Sequence, residues 1–204
     1  MTSRITNLHR EPTADDLRLR EAVRHRLRRQ GTDIVDLSLV VRDGTTSALA
    51  SPGQLDHAIR GLALDIVCEV NRVRRDRLVA LDLSDPATRF MLLAEAAAAP
   101  LIEALARDDA ELVGLAYRLF QAKAIEVPIE HWWTPVFIAR LEEVAPHVPS
   151  KHIEWVSTVL HQMISAFPCW SLDHRSLPLR EPMRSDSQRF LVRLLVDVMA
   201  AELK

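Results

Sequence analysis

Three times along this chain a capping residue stands directly before a proline, at Ser51-Pro52, Asp85-Pro86 and Thr134-Pro135. A fourth start, Ser185-Asp186-Ser187-Gln188, has the spacing of a capping box. Ser, Thr and Asp side chains accept from the unpaired amides of a helix's first turn, and proline is tolerated there because its missing N–H had no partner to lose. Apolar residues then recur at spacings of three and four. After Ser51 they are Leu55, Ile59, Leu62, Ile66, Val70 and Val73; after Ser185 they are Phe190, Leu191, Leu194, Leu195, Val198 and Met199. That period lines one face of a helix, so the chain reads as mainly α, an irregular bundle or array of about seven helices.

The remaining starts fill in the array. A helix is expected from Thr13 to about Gln30, where Gly31 offers a left-handed stop, and the Ser51 helix is expected to reach about Leu81. The Asp85 helix should be kinked or ended by Pro100, and Asp108-Asp109 opens another. Thr134 is read as the cap of a short helix to Leu141, and Ser150 as the cap of one carrying Ile153, Val156, Leu160, Met163 and Ile164. Residues 167–184, with three prolines, read as irregular. One segment resists the helical pattern. Val35, Leu37, Leu39 and Val41 alternate and Asp43-Gly44 follows, so a short β-hairpin is expected near residues 34–49.

The 204 residues are expected to form a single helical domain, 1–204, with a weak boundary near 127. Seven of the eleven prolines and all four tryptophans lie from Val127 onward, yet no linker-like composition separates the halves. Trp155 and Trp170 are assigned to the core. Cys68 and Cys169 show neither metal-ligand nor framework spacing and are read as unpaired, buried thiols. The opening residues carry no signal-peptide core, and the longest apolar run, Ala96 to Ile102, falls far short of the roughly 20 residues a membrane span requires. A cytoplasmic chain is expected. Its abundance of arginine and alanine suggests a bacterial source.

Motifs that carry chemistry are sparse. His131, His147, His152 and His161 lie close in sequence, but no pair has the four-residue helical spacing with a carboxylate that a metal site uses, so no metal is assigned. No Gly-x-Ser-x-Gly elbow occurs, and five scattered glycines cannot cradle a phosphate, so no catalytic residue and no cofactor are assigned. The pairs Glu126/Glu130 and Glu142/Glu143 read as helix-surface or helix-start carboxylates.

Two basic clusters and one aromatic turn remain. Arg20, Arg24 and Arg28 form a ridge on the expected first helix, which could meet phosphates or an acidic partner. Arg72, Arg74, Arg75 and Arg77 are read as a solvated face pairing with Glu69 and Asp76. In Glu130-His131-Trp132-Trp133-Thr134-Pro135, either one tryptophan packs inward and the other covers a neighbouring helix, or the pair contributes to a binding surface, and the turn is the first place to look for function.

The function expected is non-enzymatic: an adaptor, chaperone-like or regulatory protein that binds another protein or a second copy of itself. Its surface would comprise Trp132, Trp133, His131, Arg20, Arg24 and Arg28. A nucleic-acid-associated regulator using the arginine helix is the alternative, and an enzyme assembled from His131, His161 and nearby carboxylates is the third.

Overall fold

The computed structural model describes Ala14, Leu17, Glu21 and residues 52–107, 110–173, 179 and 181–203. Six α-helices occur among the described residues: α1 (Pro52–Val79), α2 (Arg89–Leu105), α3 (Ala110–Gln121), α4 (Thr134–Val144), α5 (Ser150–Asp173) and α6 (Met183–Glu202). A single 3-10 turn, Ile129–His131, stands before α4. The fold is mainly α, as the repeated starts require. Ala14, Leu17 and Glu21 are helical where the first helix is expected. The hairpin expected near residues 34–49, and Arg20, Arg24 and Arg28, lie outside the described residues.

Helix α2 is the axis of the array and packs against α1, α3, α4, α5 and α6. Leu93, Ala94, Ala96 through Ile102, Ala104 and Leu105 are all buried. From Ala96 to Ile102 the helix is apolar on every side and is enclosed there, and four successive alanines, Ala96 to Ala99, let its neighbours approach the backbone closely. Of the two outcomes expected at Pro100, a kink or an end, the end does not occur: the chain stays helical through it to Leu105, with neighbouring helices packed around the interrupted turn.

Other boundaries moved for local reasons. Asp85 does not open α2 directly. Its carboxylate accepts from the Ala87 amide at 3.0 Å and from the Thr88 hydroxyl at 2.7 Å, forming a turn that delays the helix to Arg89. Ser185 spends its hydroxyl on the Glu181 carboxylate at 2.6 Å, and α6 begins two residues earlier at Met183. Helix α5 continues through Pro168 to Asp173, into the stretch expected to be irregular. On α5 the buried stripe is Ile153, Val156, Leu160 and Ile164, which leaves Trp155 on the opposite face. Trp155 is exposed, stacked on His152, and is not a core residue. Phe190 is likewise exposed, while Leu191, Leu195 and Met199 carry the buried face of α6.

Candidate functional site

Where α3 ends, the chain makes a tight reversal. The Ala124 amide reaches back to Leu119 O at 2.8 Å and the Lys123 amide to Phe120 O at 3.0 Å. This pair of bonds is the Schellman pattern, which places the residue after the cap in the left-handed region. Glycine usually fills that position; here it is Lys123, at φ 55°. The segment that follows carries Ile125 and Val127 into the core and delivers the 3-10 turn and the two tryptophans.

Trp132 and Trp133 diverge. Trp133 is 1% exposed and packs on Phe137, with ring centroids 5.2 Å apart. Trp132 is 38% exposed, and its indole N–H donates to Val127 O at 2.8 Å. The structure therefore buries one member of the pair and leaves the other at the surface. His131 is exposed beside it, and Ile129, at 82%, protrudes from the same turn.

His161, on α5, meets both indoles. Its imidazole lies 6.0 Å from the Trp132 ring with 1° between the planes, and 5.5 Å from the Trp133 ring with 26°. Phe120 of α3 touches it edge-on at 6.1 Å. Ser165, one turn along α5, brings Oγ to 3.4 Å from Nε2, while Nδ1 is buried with no hydrogen-bond partner. Burial, and then the nearby Arg74 charge, push the His161 pKa down to about 4. The imidazole is neutral at physiological pH.

Among the described residues Arg74 is a buried cation, 1% exposed, and so corrects its reading as part of a solvated face. Its position is explained by register: it falls four residues after Val70 and four before Leu78, on the buried stripe of α1. Nε donates to Ala97 O at 2.6 Å, inside the turn that Pro100 interrupts. Nη1 donates to Asn71 Oδ1 at 3.3 Å and to Tyr117 OH at 3.2 Å, and the guanidinium lies over the Trp133 ring at 5.2 Å. Every one of these partners is neutral, and Nη2 has none. The other members of the cluster do behave as a surface. Arg72 pairs with Glu69 and Asp76, Arg77 pairs with Glu103, and Arg75 donates to Glu130 O.

Trp132, His161, Phe120 and Ser165 stand around a cleft of roughly 940 Å³, with Arg60, Lys123 and Glu126 also on its lining. Thr134 completes the wall. Its expected capping role is not fulfilled: α4 takes Trp133 as N-cap with no side-chain cap bond, and Thr134 Oγ1 is buried without a partner. Arg60 is held by Asp56 at 2.9 Å and by Ala124 O at 2.8 Å, which ties α1 to the reversal after α3.

The other sequence candidates do not converge. His147 is exposed, and His152 pairs with Glu202 at the far end of α5. Glu126 and Glu130 are exposed, and Glu143 is engaged by Arg140. Among the described residues no group of three His, Cys, Asp or Glu side chains could hold a metal, and no helix is long and apolar enough to cross a membrane. Cys68 is half-buried and free, and burial raises its thiol pKa to about 11, helped by the charges of Asp65 and Glu130. Sequence reasoning assigned Arg74 to a solvated face and gave Phe120, Lys123 and Ser165 no role in a site; for Arg74 the signal of burial was the four-residue step from Val70. No protein-family model and no curated protein matches this chain.

Proposed function

We propose that this chain works by binding and not by catalysis, and that the cleft beside Trp132 receives a small organic ligand with an aromatic body. The observation that carries this reading is the parallel Trp132–His161 pair on the wall of a roughly 940 Å³ cleft. Ligand sites have this size, and they combine apolar and aromatic surface with polar groups that fix orientation. Here Phe120, Ile125 and Val127 supply apolar surface, and Thr158, Gln162, Lys123 and Glu126 supply polar atoms.

A Ser165–His161 dyad is the arrangement that would favour catalysis. In nucleophilic hydrolases the second imidazole nitrogen is oriented by a carboxylate or equivalent. His161 Nδ1 has no such partner, and Ser165 is itself buried. A composition rich in arginine and alanine supports a bacterial source for such a protein.

The test is a screen of aromatic fragments by ligand-observed NMR on the wild-type chain and on Thr158→Trp, which fills the cleft from an exposed position of α5. Hits that disappear in the variant support the reading. An absence of hits, or hits indifferent to the substitution, would end it.

A second reading keeps a protein partner, or a second copy of the chain, on the 129–132 turn. It is favoured by Ile129, an apolar side chain 82% exposed next to His131 and Trp132. Sedimentation of wild type and Ile129→Arg tests self-association: loss of a dimer in the variant supports it, and a monomer in both removes the second copy as the partner. Affinity capture with the same two chains tests another protein, which must be lost with Ile129→Arg.

A further inference from the structure

The charges around the cleft are unequal, and the inequality begins inside the protein. A guanidinium removed from water needs an anion or a full set of hydrogen bonds, because the desolvation of an unpaired buried charge is expensive. Arg74 has neither. Its acceptors are a backbone carbonyl, an amide oxygen and a phenol, and Nη2 is unpartnered. The positive field is directed toward the cleft wall: the guanidinium lies over Trp133, Trp133 stacks on His161, and the Arg74 charge acts on that imidazole. In low-dielectric surroundings such a field is weakly screened. On the lining itself Arg60 is paired with Asp56, and Lys123 stands with the carboxylate of Glu126, so the uncompensated positive charge is that of Arg74 behind the wall.

We propose that the ligand of this cleft is an organic anion, an aromatic body bearing a carboxylate or sulfonate, whose negative charge answers the buried Arg74 and meets the Lys123 ammonium while its ring lies in the aromatic part of the cleft. The inference rests on the cleft being a ligand site, as argued above. Contact with Arg74 is not required, since the side chain is enclosed; its field selects the sign of the ligand's charge. Lys123 has a matching place in the arrangement. A left-handed conformation at a non-glycine residue is strained, and here it holds an ammonium-bearing side chain on the cleft lining.

Two dyes of nearly the same shape separate the ideas: the anion anilinonaphthalenesulfonate and its uncharged counterpart phenylnaphthylamine, each titrated by fluorescence into the folded chain. The expected result is one site, with the anion bound at least tenfold more tightly than the neutral dye. Thr158→Trp should abolish it. Lys123→Gln should weaken the anion about two- to threefold and leave the neutral dye unchanged, and Arg74→Met should weaken the anion further where the variant folds. Equal binding of the two dyes, lost in Thr158→Trp, overturns the charge selection and leaves the cleft as a ligand site. Binding of neither dye, or binding indifferent to Thr158→Trp, overturns the site itself.

Discussion

The His161 imidazole lies parallel to the Trp132 indole, 6.0 Å away with 1° between the planes, and this half-exposed pair is backed by the buried Trp133. Because the imidazole is enclosed there and faces the Arg74 charge, it resists protonation down to about pH 4. An unfolded chain takes up the same proton near pH 6.5. Between those values the unfolded state binds more protons, so this contribution to stability is complete above pH 6.5 and declines as pH falls toward 4. The full loss is roughly 3 kcal/mol. Urea unfolding of wild type and His161→Phe at pH 7 and pH 4.5 measures it: the wild type should lose more stability than the variant. Equal losses would place the acid sensitivity elsewhere.

The two tryptophans should respond differently to truncation. Trp133→Ala empties a buried site between Phe137, His161 and Arg74 and should cost about 3–5 kcal/mol. Trp132→Ala removes a partly exposed ring and should cost less than about 2 kcal/mol. Chemical denaturation distinguishes them. A loss of binding in Trp132→Ala therefore reports on the surface, whereas the same loss in Trp133→Ala reports on folding.

Arg74→Lys should destabilise by about 2 kcal/mol or more, although the charge is kept. A lysine has one terminal nitrogen, which cannot donate to Ala97 O from the Nε position while also reaching Asn71 and Tyr117. Arg74→Met removes the buried charge and should raise the His161 pKa above its wild-type value. It should stay below 6.5, since burial is the larger cause of the depression. Titration of the imidazole by NMR reads this directly.

Lys123→Gly should stabilise the fold by about 0.5–1 kcal/mol, because glycine occupies the left-handed position after α3 without a Cβ conflict. The same substitution should weaken anion binding, which sets stability against function at one residue. Thermal unfolding and the dye titration together test both halves.

Cys68 should be a slow nucleophile. A thiol held near pKa 11 has about a hundredfold less thiolate at pH 8 than one at the ordinary value of 9.0. Alkylation of the Cys68 peptide, followed by mass spectrometry, should be correspondingly slow in the native chain and rapid in urea. Asp65→Asn should quicken the native reaction modestly, since that carboxylate is the second cause of the shift after burial.

The division between what was legible and what was not follows from the range of the forces involved. Helix starts, apolar spacing and turn chemistry act over a few residues, and the sequence by itself determined that α1 through α6 are helices and that α5 turns Ile153, Val156, Leu160 and Ile164 inward, whereas the fates of the two adjacent tryptophans were decided by packing. Whether a cap residue caps depends on which partner reaches it first, and the carboxylate of Glu181 and the wall of the cleft redirected Ser185 and Thr134. Whether a proline ends a helix depends on its surroundings, and α2 passes through Pro100 because neighbouring helices enclose it. The aromatic turn drew attention as a sequence, but its chemistry lies in His161, supplied from α5, and in Arg74, supplied from α1. Those three segments are dozens of residues apart in the chain. Only packing around α2 brings them together, and only the buried environment so formed makes the imidazole neutral and surrounds the guanidinium, among the described residues, with neutral partners.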